Sequence, residues 1–253
     1  MDARIVSDAA LAANIAQEAG ALLKVIQSCG LSGRELGDKG DREANTLILA
    51  RLHAERPGEF VLSEEAADDL ARCAARRVWV IDPLDGTAEF SSGRDDWAVH
   101  IGLSIDGEPA VGAVALPAIN MVLATSPAPP MPPTRIPPRI VVSRNRAPPE
   151  AMAVAAALGA ELVPMGSAGA KAMAVVRGEA EVYLHSGGQY VWDNCAPAAV
   201  ALAAGLHVSR LDGSPLVYNC ADTWLPDLLI CAKPIAAAVL EAVRACGCGT
   251  TPS

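Results

Sequence analysis

The sequence predicts an α+β protein in which helices pack on sheets, and three observations carry that prediction. Two short apolar runs, Phe60-Val61-Leu62 and Val78-Trp79-Val80-Ile81, each end in acidic residues. Three further apolar runs follow between residues 97 and 124, close enough together to be antiparallel strands joined by tight turns. From residue 139 onward, strand-like and helix-like segments alternate, a pattern that sets helices against sheets.

Each element has its own justification. Ser7 opens a helical pattern with Leu11, Ile15, Leu22 and Ile26 on one face. Residues 30–40, bounded by glycines, read as a loop. A second helix is expected over residues 41–56, with Ala44, Leu47, Ile48 and Leu52 inward, ended by Pro57-Gly58. Strands follow at residues 60–62 and 78–81. Pro83 is expected to end the second, because proline offers no N–H to a ladder. Residues 97–105, 110–116 and 120–124 read as antiparallel strands, the first two joined at Asp106-Gly107. The run Ser126-Pro127-Ala128-Pro129-Pro130-Met131-Pro132-Pro133 excludes a helix or a central strand. It divides the chain into an N-terminal half (1–126), a proline-rich loop (127–138) and a C-terminal half (139–253). A surface loop is the main reading, and a linker between the halves is compatible with it. In the second half, strands are expected at 139–143, 161–165, 181–185 and 228–231. Helices are expected at 149–158, 168–177, 193–204 and 234–245. No internal repeat is visible.

The 253 residues are ample for a substantial core, as one large domain or two modest ones. Half of them are apolar, yet no uninterrupted apolar run approaches the roughly 18 residues of a membrane span. The N-terminus lacks a basic region followed by an apolar one, so the expectation is a cytoplasmic protein without a membrane partner. Seven cysteines, at 29, 73, 195, 220, 231, 246 and 248, show no metal-binding spacing and read as reduced, mostly buried thiols. Cys246-Gly247-Cys248 reads as a frayed terminus, with a redox pair as the alternative.

The chemistry concentrates in Val78-Trp79-Val80-Ile81-Asp82-Pro83-Leu84-Asp85-Gly86-Thr87. Two acids at the end of a buried strand are costly unless a cation neutralises them, which makes a divalent metal the leading candidate. A second acidic pair, Glu64-Glu65, ends the preceding strand. A third piece, Trp192-Asp193-Asn194-Cys195-Ala196-Pro197, opens an Ala-rich helix, whose N-terminus favours a carboxylate at Asp193. Taken alone, residues 82–87 also read as an acidic turn after a strand; the two other acidic pieces weigh against that. Carboxylates and a backbone carbonyl suit Mg²⁺, and no His/Cys cluster favours zinc.

In this order, Asp41, Glu64-Glu65, Asp82 to Thr87 and Trp192-Asp193 resemble the lithium-sensitive phosphatase superfamily of inositol monophosphatase. Within it, several segments resemble the bacterial CysQ-type phosphatases of 3'-phosphoadenosine 5'-phosphate. These are Leu62-Ser63-Glu64-Glu65, residues 93–100, residues 166–175, His185 to Tyr190 and Leu211 to Leu216. The resemblance implies a layered α/β/α/β/α sandwich and a Mg²⁺-dependent hydrolase, inhibited by Li⁺ and commonly homodimeric. It implies that Glu64, Asp82 and the carbonyl of Leu84 hold one Mg²⁺, and Asp82, Asp85 and Asp193 a second. Glu64 and Thr87 would activate water. Asp41 would lie further out, on the Thr87 relay or a third ion. Glu65 has no firm role and reads equally as solvated. The net charge of −9 argues against a nucleic-acid polymer as partner. It is compatible with a small phosphate ester once bound cations reverse the local sign.

Substrate contacts are expected from Asp85, Gly86 and Thr87, since Gly86 lets phosphate oxygens approach the backbone N–H groups. Ser143 and Arg144, or Arg146, could clamp a second phosphate, or form a solvated basic turn. Gly166, Ser167 and Lys171 open a helix that could cradle ribose or phosphate, or simply be capped. Gln189 and Tyr190 could wall the pocket, with Tyr190 stacking on a base or packing internally. His53, His100 and His207 read as structural, and His185 has no assigned role. Two positions depart from the family pattern: Asp38 stands where it usually has Thr, and Ala88 where it often has a basic residue. The resulting expectation is removal of the 3'-phosphate to give AMP. Inositol-1-phosphate or fructose-1,6-bisphosphate phosphatase is the alternative, and a non-catalytic nucleotide sensor a more remote one.

Overall fold

The structure, a computed structural model, describes residues 3–247, and every segment read as a strand or helix is one. The order is α1 (Ala3–Gln27), α2 (Gly33–Glu55), β1 (Phe60–Ser63), β2 (Arg77–Asp85), α3 (Thr87–Ser91), β3 (Ala98–Ile105), β4 (Glu108–Leu116) and β5 (Met121–Ala124). Then come β6 (Arg139–Ser143), α4 (Pro149–Leu158), β7 (Glu161–Met165), α5 (Ala168–Val176), β8 (Val182–Tyr190), α6 (Val191–Ala203), β9 (His207–Ser209), β10 (Trp224–Cys231) and α7 (Ala236–Ala245).

Two five-stranded sheets result, ordered β1-β2-β3-β4-β5 and β7-β6-β8-β10-β9. The first is antiparallel except for the β1–β2 pair. In the second, β6 runs parallel to both β7 and β8. Helices α1 and α2 cover the outer face of the first sheet, α5 and α6 fill the space between the sheets, and α4 and α7 cover the second sheet. This is the five-layered sandwich. Strand β2 shows why its sequence is apolar throughout: Trp79 and Ile81 enter the core beneath α1 and α2, while Val78 and Val80 enter the core around α5 and α6. The Asp106-Gly107 turn joins β3 to β4 as expected, with both residues at positive φ.

The structure corrects several boundaries. Helix α2 begins at Gly33, not near residue 41. Glycines cost a helix about 1 kcal/mol each relative to Ala, which is why this stretch reads as a loop. Here they permit close packing: a Cβ on Gly37 would lie 2.7 Å from Thr87 Cγ2, and one on Gly40 3.0 Å from Leu84 Cδ2. Strand β2 does not end before Pro83. It continues to Asp85 through an irregularity in which Asp82 faces His100 and Asp85 faces Ala98, leaving Pro83 without a ladder donor to supply. Strand β8 extends to Tyr190, and α3 and β9 were not expected.

Helix α1 is long and apolar enough to cross a membrane by length and composition. Half of that window is buried, with Ala12, Ile15, Ala16 and Ala19 packed toward the first sheet and α2. The cysteines are less buried than expected. Cys195 and Cys231 are buried, Cys29, Cys73 and Cys220 are exposed, and Cys246 is intermediate. Cys29 and Cys220 lie in loops and Cys73 on a short 3-10 helix, all at the surface. Cys248 lies outside the described residues. His53, expected inside an apolar pattern, is exposed in the last turn of α2.

Candidate active site

The acids of β2 meet the first turn of α6. Asp82, Asp85 and Asp193 each offer an oxygen, and these oxygens lie within 4.8 Å of one another. Asp82 is 1% exposed and Asp85 6%. Asp82 Oδ1 accepts from Leu84 N at 3.1 Å, which folds the turn back on itself. Asp85 is held by the N-terminus of α5: Ala168 N donates to Oδ1 (3.1 Å) and Gly169 N to Oδ2 (2.5 Å). Asp193, in the first turn of α6, accepts from Tyr190 N at 2.7 Å and so caps its own helix.

The electrostatics follow from this crowding. Burial, then the charges of Asp85, Glu64 and Asp193, hold Asp82 well above the usual carboxylate range. Burial and the charge of Asp85 push Asp193 up to about 6. For Asp85, burial acts upward but is outweighed by His100, the Gly169 N–H and Lys171, and the net direction is down. Acids forced to hold protons without a cation, all offering oxygen atoms, fit a hard divalent metal.

Glu64 follows β1. Its N–H donates to Ile81 O (3.2 Å), which keeps the turn beside β2. Ser63 Oγ donates to Asn45 Oδ1 (2.8 Å), and Asn45 Nδ2 donates to Glu65 O (3.3 Å), so α2 anchors the same turn. Burial and the charges of Asp193, Glu65 and Asp85 push Glu64 up to about 7, while a contact with Asp82 opposes the rise. Thr87 Oγ1 lies 3.2 Å from Leu84 O and 3.5 Å from Asp41 Oδ2. Burial, Glu65 and Glu64 push Asp41 up to about 7, with Thr87 acting against them. Gly86 sits at φ +89° and caps α3; a Cβ there would lie 2.8 Å from Ser167 Cβ. The sequence motif and the N-terminus of α5 thus approach through a glycine.

Residues 6–247 match the model of the inositol monophosphatase family. This chain belongs to the inositol monophosphatase family. It is 55% identical over 221 residues to a 3'-phosphoadenosine 5'-phosphate phosphatase of Mycobacterium tuberculosis, covering 82% of each chain. To the enzyme of the same name from Mycobacterium leprae it is 52% identical over 254 residues, covering 94% of each. The 3'(2'),5'-bisphosphate nucleotidase CysQ of Escherichia coli is 32% identical over 73% of this chain and 80% of its own length. Among solved structures, CysQ from Bacteroides thetaiotaomicron superposes with a TM-score of 0.78 at 28% identity, covering 90% of this chain and 98% of its own.

In this inositol monophosphatase family member, the other expected contacts surround the acids unevenly. Ser143 ends β6 and Arg144 follows it, but Arg144 is engaged by Asp96 and lies 3.5 Å from Glu89. Arg146 is exposed. Gly166 donates its N–H to Asp96 (2.6 Å), and Ser167 Oγ caps α5 at Ala170 N (3.0 Å). Lys171 is buried, its ammonium turned onto the carbonyls of Gly166 and Ser167. Gln189 is also buried and donates to Tyr183 Oη at 2.9 Å. Tyr190 is exposed and stacks on Trp192 (4.8 Å, 11°), with Trp224 edge-on at 5.3 Å. Sequence reading missed Asn45, Ser63, Trp224 and His100. His100 is fully buried with Nε2 3.2 Å from Asp85 Oδ2. It sits opposite Asp82 in the β2–β3 register, and the irregularity that follows sets Asp85 opposite Ala98, a placement that no spacing along the chain encodes.

Proposed function

We propose that this chain is a Mg²⁺-dependent phosphomonoesterase that removes the 3'-phosphate of 3'-phosphoadenosine 5'-phosphate, leaving AMP. The observation that carries the reading is the cluster of Asp82, Asp85 and Asp193, with Glu64 reaching Asp82. The substrate follows from relatives named for this activity that are 52–55% identical.

Glu64, Asp82, the carbonyl of Leu84, Asp85 and Asp193 would hold the Mg²⁺ ions, with Asp41 available to a third. Bound there, Mg²⁺ offsets phosphoryl charge and acidifies water. The chain's own residues do the rest. Glu64, at the open edge of the cluster, accepts a proton from the attacking water. The Thr87 hydroxyl lies between Asp41 and the Leu84 carbonyl, so a proton taken at Oγ1 can pass to Asp41. Water oxygen bonds to phosphorus, and the bond from phosphorus to the ribose oxygen breaks with its electron pair on that oxygen. The proton accepted by Glu64 returns through solvent to that oxygen, giving AMP and phosphate. Gly86 keeps the approach to the backbone N–H groups clear.

The exposed parts of Tyr190, three residues before Asp193, and of Trp224, its partner on β10, offer a ledge on which adenine would stack. Arg146 and Ser143 would meet the second phosphate beside Arg144, which Asp96 and Glu89 already engage. Lys171 would hold the Gly166-Ser167 turn against the ribose, and Gln189 the wall behind it. Li⁺ inhibition and a homodimer belong to the same proposal.

Phosphate release is to be measured with 3'-phosphoadenosine 5'-phosphate, inositol 1-phosphate and fructose 1,6-bisphosphate. The nucleotide is expected to have the highest kcat/KM. Much faster turnover of either other ester would overturn the substrate while leaving the chemistry intact. Tight nucleotide binding without phosphate release would overturn both.

A further inference from the structure

His100 carries no part of the mechanism above, yet it is fully buried in a charged site. It lies on β3, between two elements that supply metal-ligating acids. On one side, Nε2 is 3.2 Å from Asp85 Oδ2 on β2. On the other, Nδ1 is 3.1 Å from the carbonyl of Trp192, the residue before Asp193 on α6. A carbonyl can only accept, so Nδ1 bears a proton and donates it. The Nε2 contact is not aligned as a hydrogen bond; it is an electrostatic contact with the carboxylate.

The ring has no room to leave. A Cβ on Gly169 would lie 2.1 Å from His100 Nε2 and 3.0 Å from Asp85 Oδ2. Gly169 N itself donates to Asp85 Oδ2. The imidazole is therefore wedged between α5, Asp85 and the start of α6. Asp85 and Asp193 come from parts of the chain more than 100 residues apart, with no covalent frame to hold their spacing. The His100 ring touches both Asp85 and the turn bearing Asp193.

We propose that His100 is a positioning residue: it sets the separation of Asp85 and Asp193 and so tunes the affinity of the site for its divalent cation. The inference rests on the metal-site reading above. Partners that orient ligating carboxylates typically change metal affinity 10–100-fold when removed.

The two ring nitrogens can be tested separately. Glutamine places an amide nitrogen near the position of Nε2, and asparagine places one near Nδ1. Mg²⁺ binding is to be measured by titration calorimetry on wild type and on His100→Phe, His100→Gln and His100→Asn, with thermal unfolding of each recorded alongside. Phenylalanine is expected to weaken Mg²⁺ binding at least 10-fold, while glutamine restores most of it by keeping the Asp85 contact. Gly169→Ala, which pushes the ring away from Asp85, is expected to weaken binding similarly. Folded His100→Phe with wild-type Mg²⁺ affinity would overturn the inference. If the phenylalanine variant does not fold, the other two decide: equal, wild-type affinities in His100→Gln and His100→Asn overturn it. Wild type without Mg²⁺ binding would instead overturn the metal site itself, a separate outcome.

Discussion

Replacing Asp193 with asparagine should stabilise the metal-free protein while destroying its use for the metal. Burial and Asp85 raise this carboxyl from 3.8 to about 6 in the folded chain. That rise corresponds to about 3 kcal/mol against folding at pH 8, where the group is charged. The sign is that of a raised carboxyl. Its contribution to stability is fully present below about pH 4 and is lost as pH climbs through 6. The hydrogen bond from Tyr190 N favours the charged form and is already inside that balance. Asparagine keeps an acceptor there and drops the charge. The value is an upper bound, because neighbouring carboxyls can take a proton in place of Asp193. For a chain of this size, each kcal/mol moves Tm by roughly 2–4 °C, so Asp193→Asn should unfold up to about 6–12 °C higher in EDTA at pH 8. At pH 4 the two proteins should melt within about 2 °C of each other. Saturating Mg²⁺ at pH 8 should reverse the order: wild type gains about 2.7 kcal/mol at a hundredfold excess over Kd, and the variant far less. Calorimetric melts at both pH values, with and without Mg²⁺, measure all of this. A variant less stable than wild type in EDTA at pH 8 would refute the claim that these acids repel one another until a cation arrives.

Three other outcomes are expected. Glu64→Gln should lower kcat by about 10²–10⁴-fold through loss of its proton-accepting role, with nucleotide affinity in calorimetry little changed. Gly86→Ala would force a side chain to φ +89° and 2.8 Å from Ser167 Cβ. It should cost at least about 1–2 kcal/mol in denaturant unfolding and remove most activity. Trp224→Ala should raise KM for 3'-phosphoadenosine 5'-phosphate by roughly the value of one base stack, about 1–3 kcal/mol. KM for p-nitrophenyl phosphate, which lacks a nucleobase, should stay unchanged; a parallel rise in both would remove the ledge from the proposal.

The legible parts of this protein were those written in short spacings. Asp82-Pro83-Leu84-Asp85-Gly86-Thr87 names its chemistry because two carboxylates on a buried strand need a cation wherever the strand lies. The alternation after residue 139 showed helices against sheets, and the structure has them there. Other features were hidden for identifiable reasons. The start of α2 was obscured by glycines whose low helical preference is overridden by contact with Thr87 and Leu84. The passage of β2 beyond Pro83 was obscured because a proline is tolerated where the ladder skips a residue. Arg144 read either as a phosphate clamp or as part of a solvated basic turn, and its engagement by Asp96, 48 residues away, was hidden because no local spacing links the two.

The amino-acid sequence by itself determined the family and the acid set, because ligand type and local order are properties of neighbours along the chain. Tertiary structure alone decided how those acids are held. Asp85 rests on the N-terminus of α5, Asp193 caps α6, and His100 touches one acid and the turn that carries the other. The contacts from α5 to Asp85 and from His100 to Trp192 join residues 83 and 92 apart, and no spacing along the chain encodes a distance between elements so far separated.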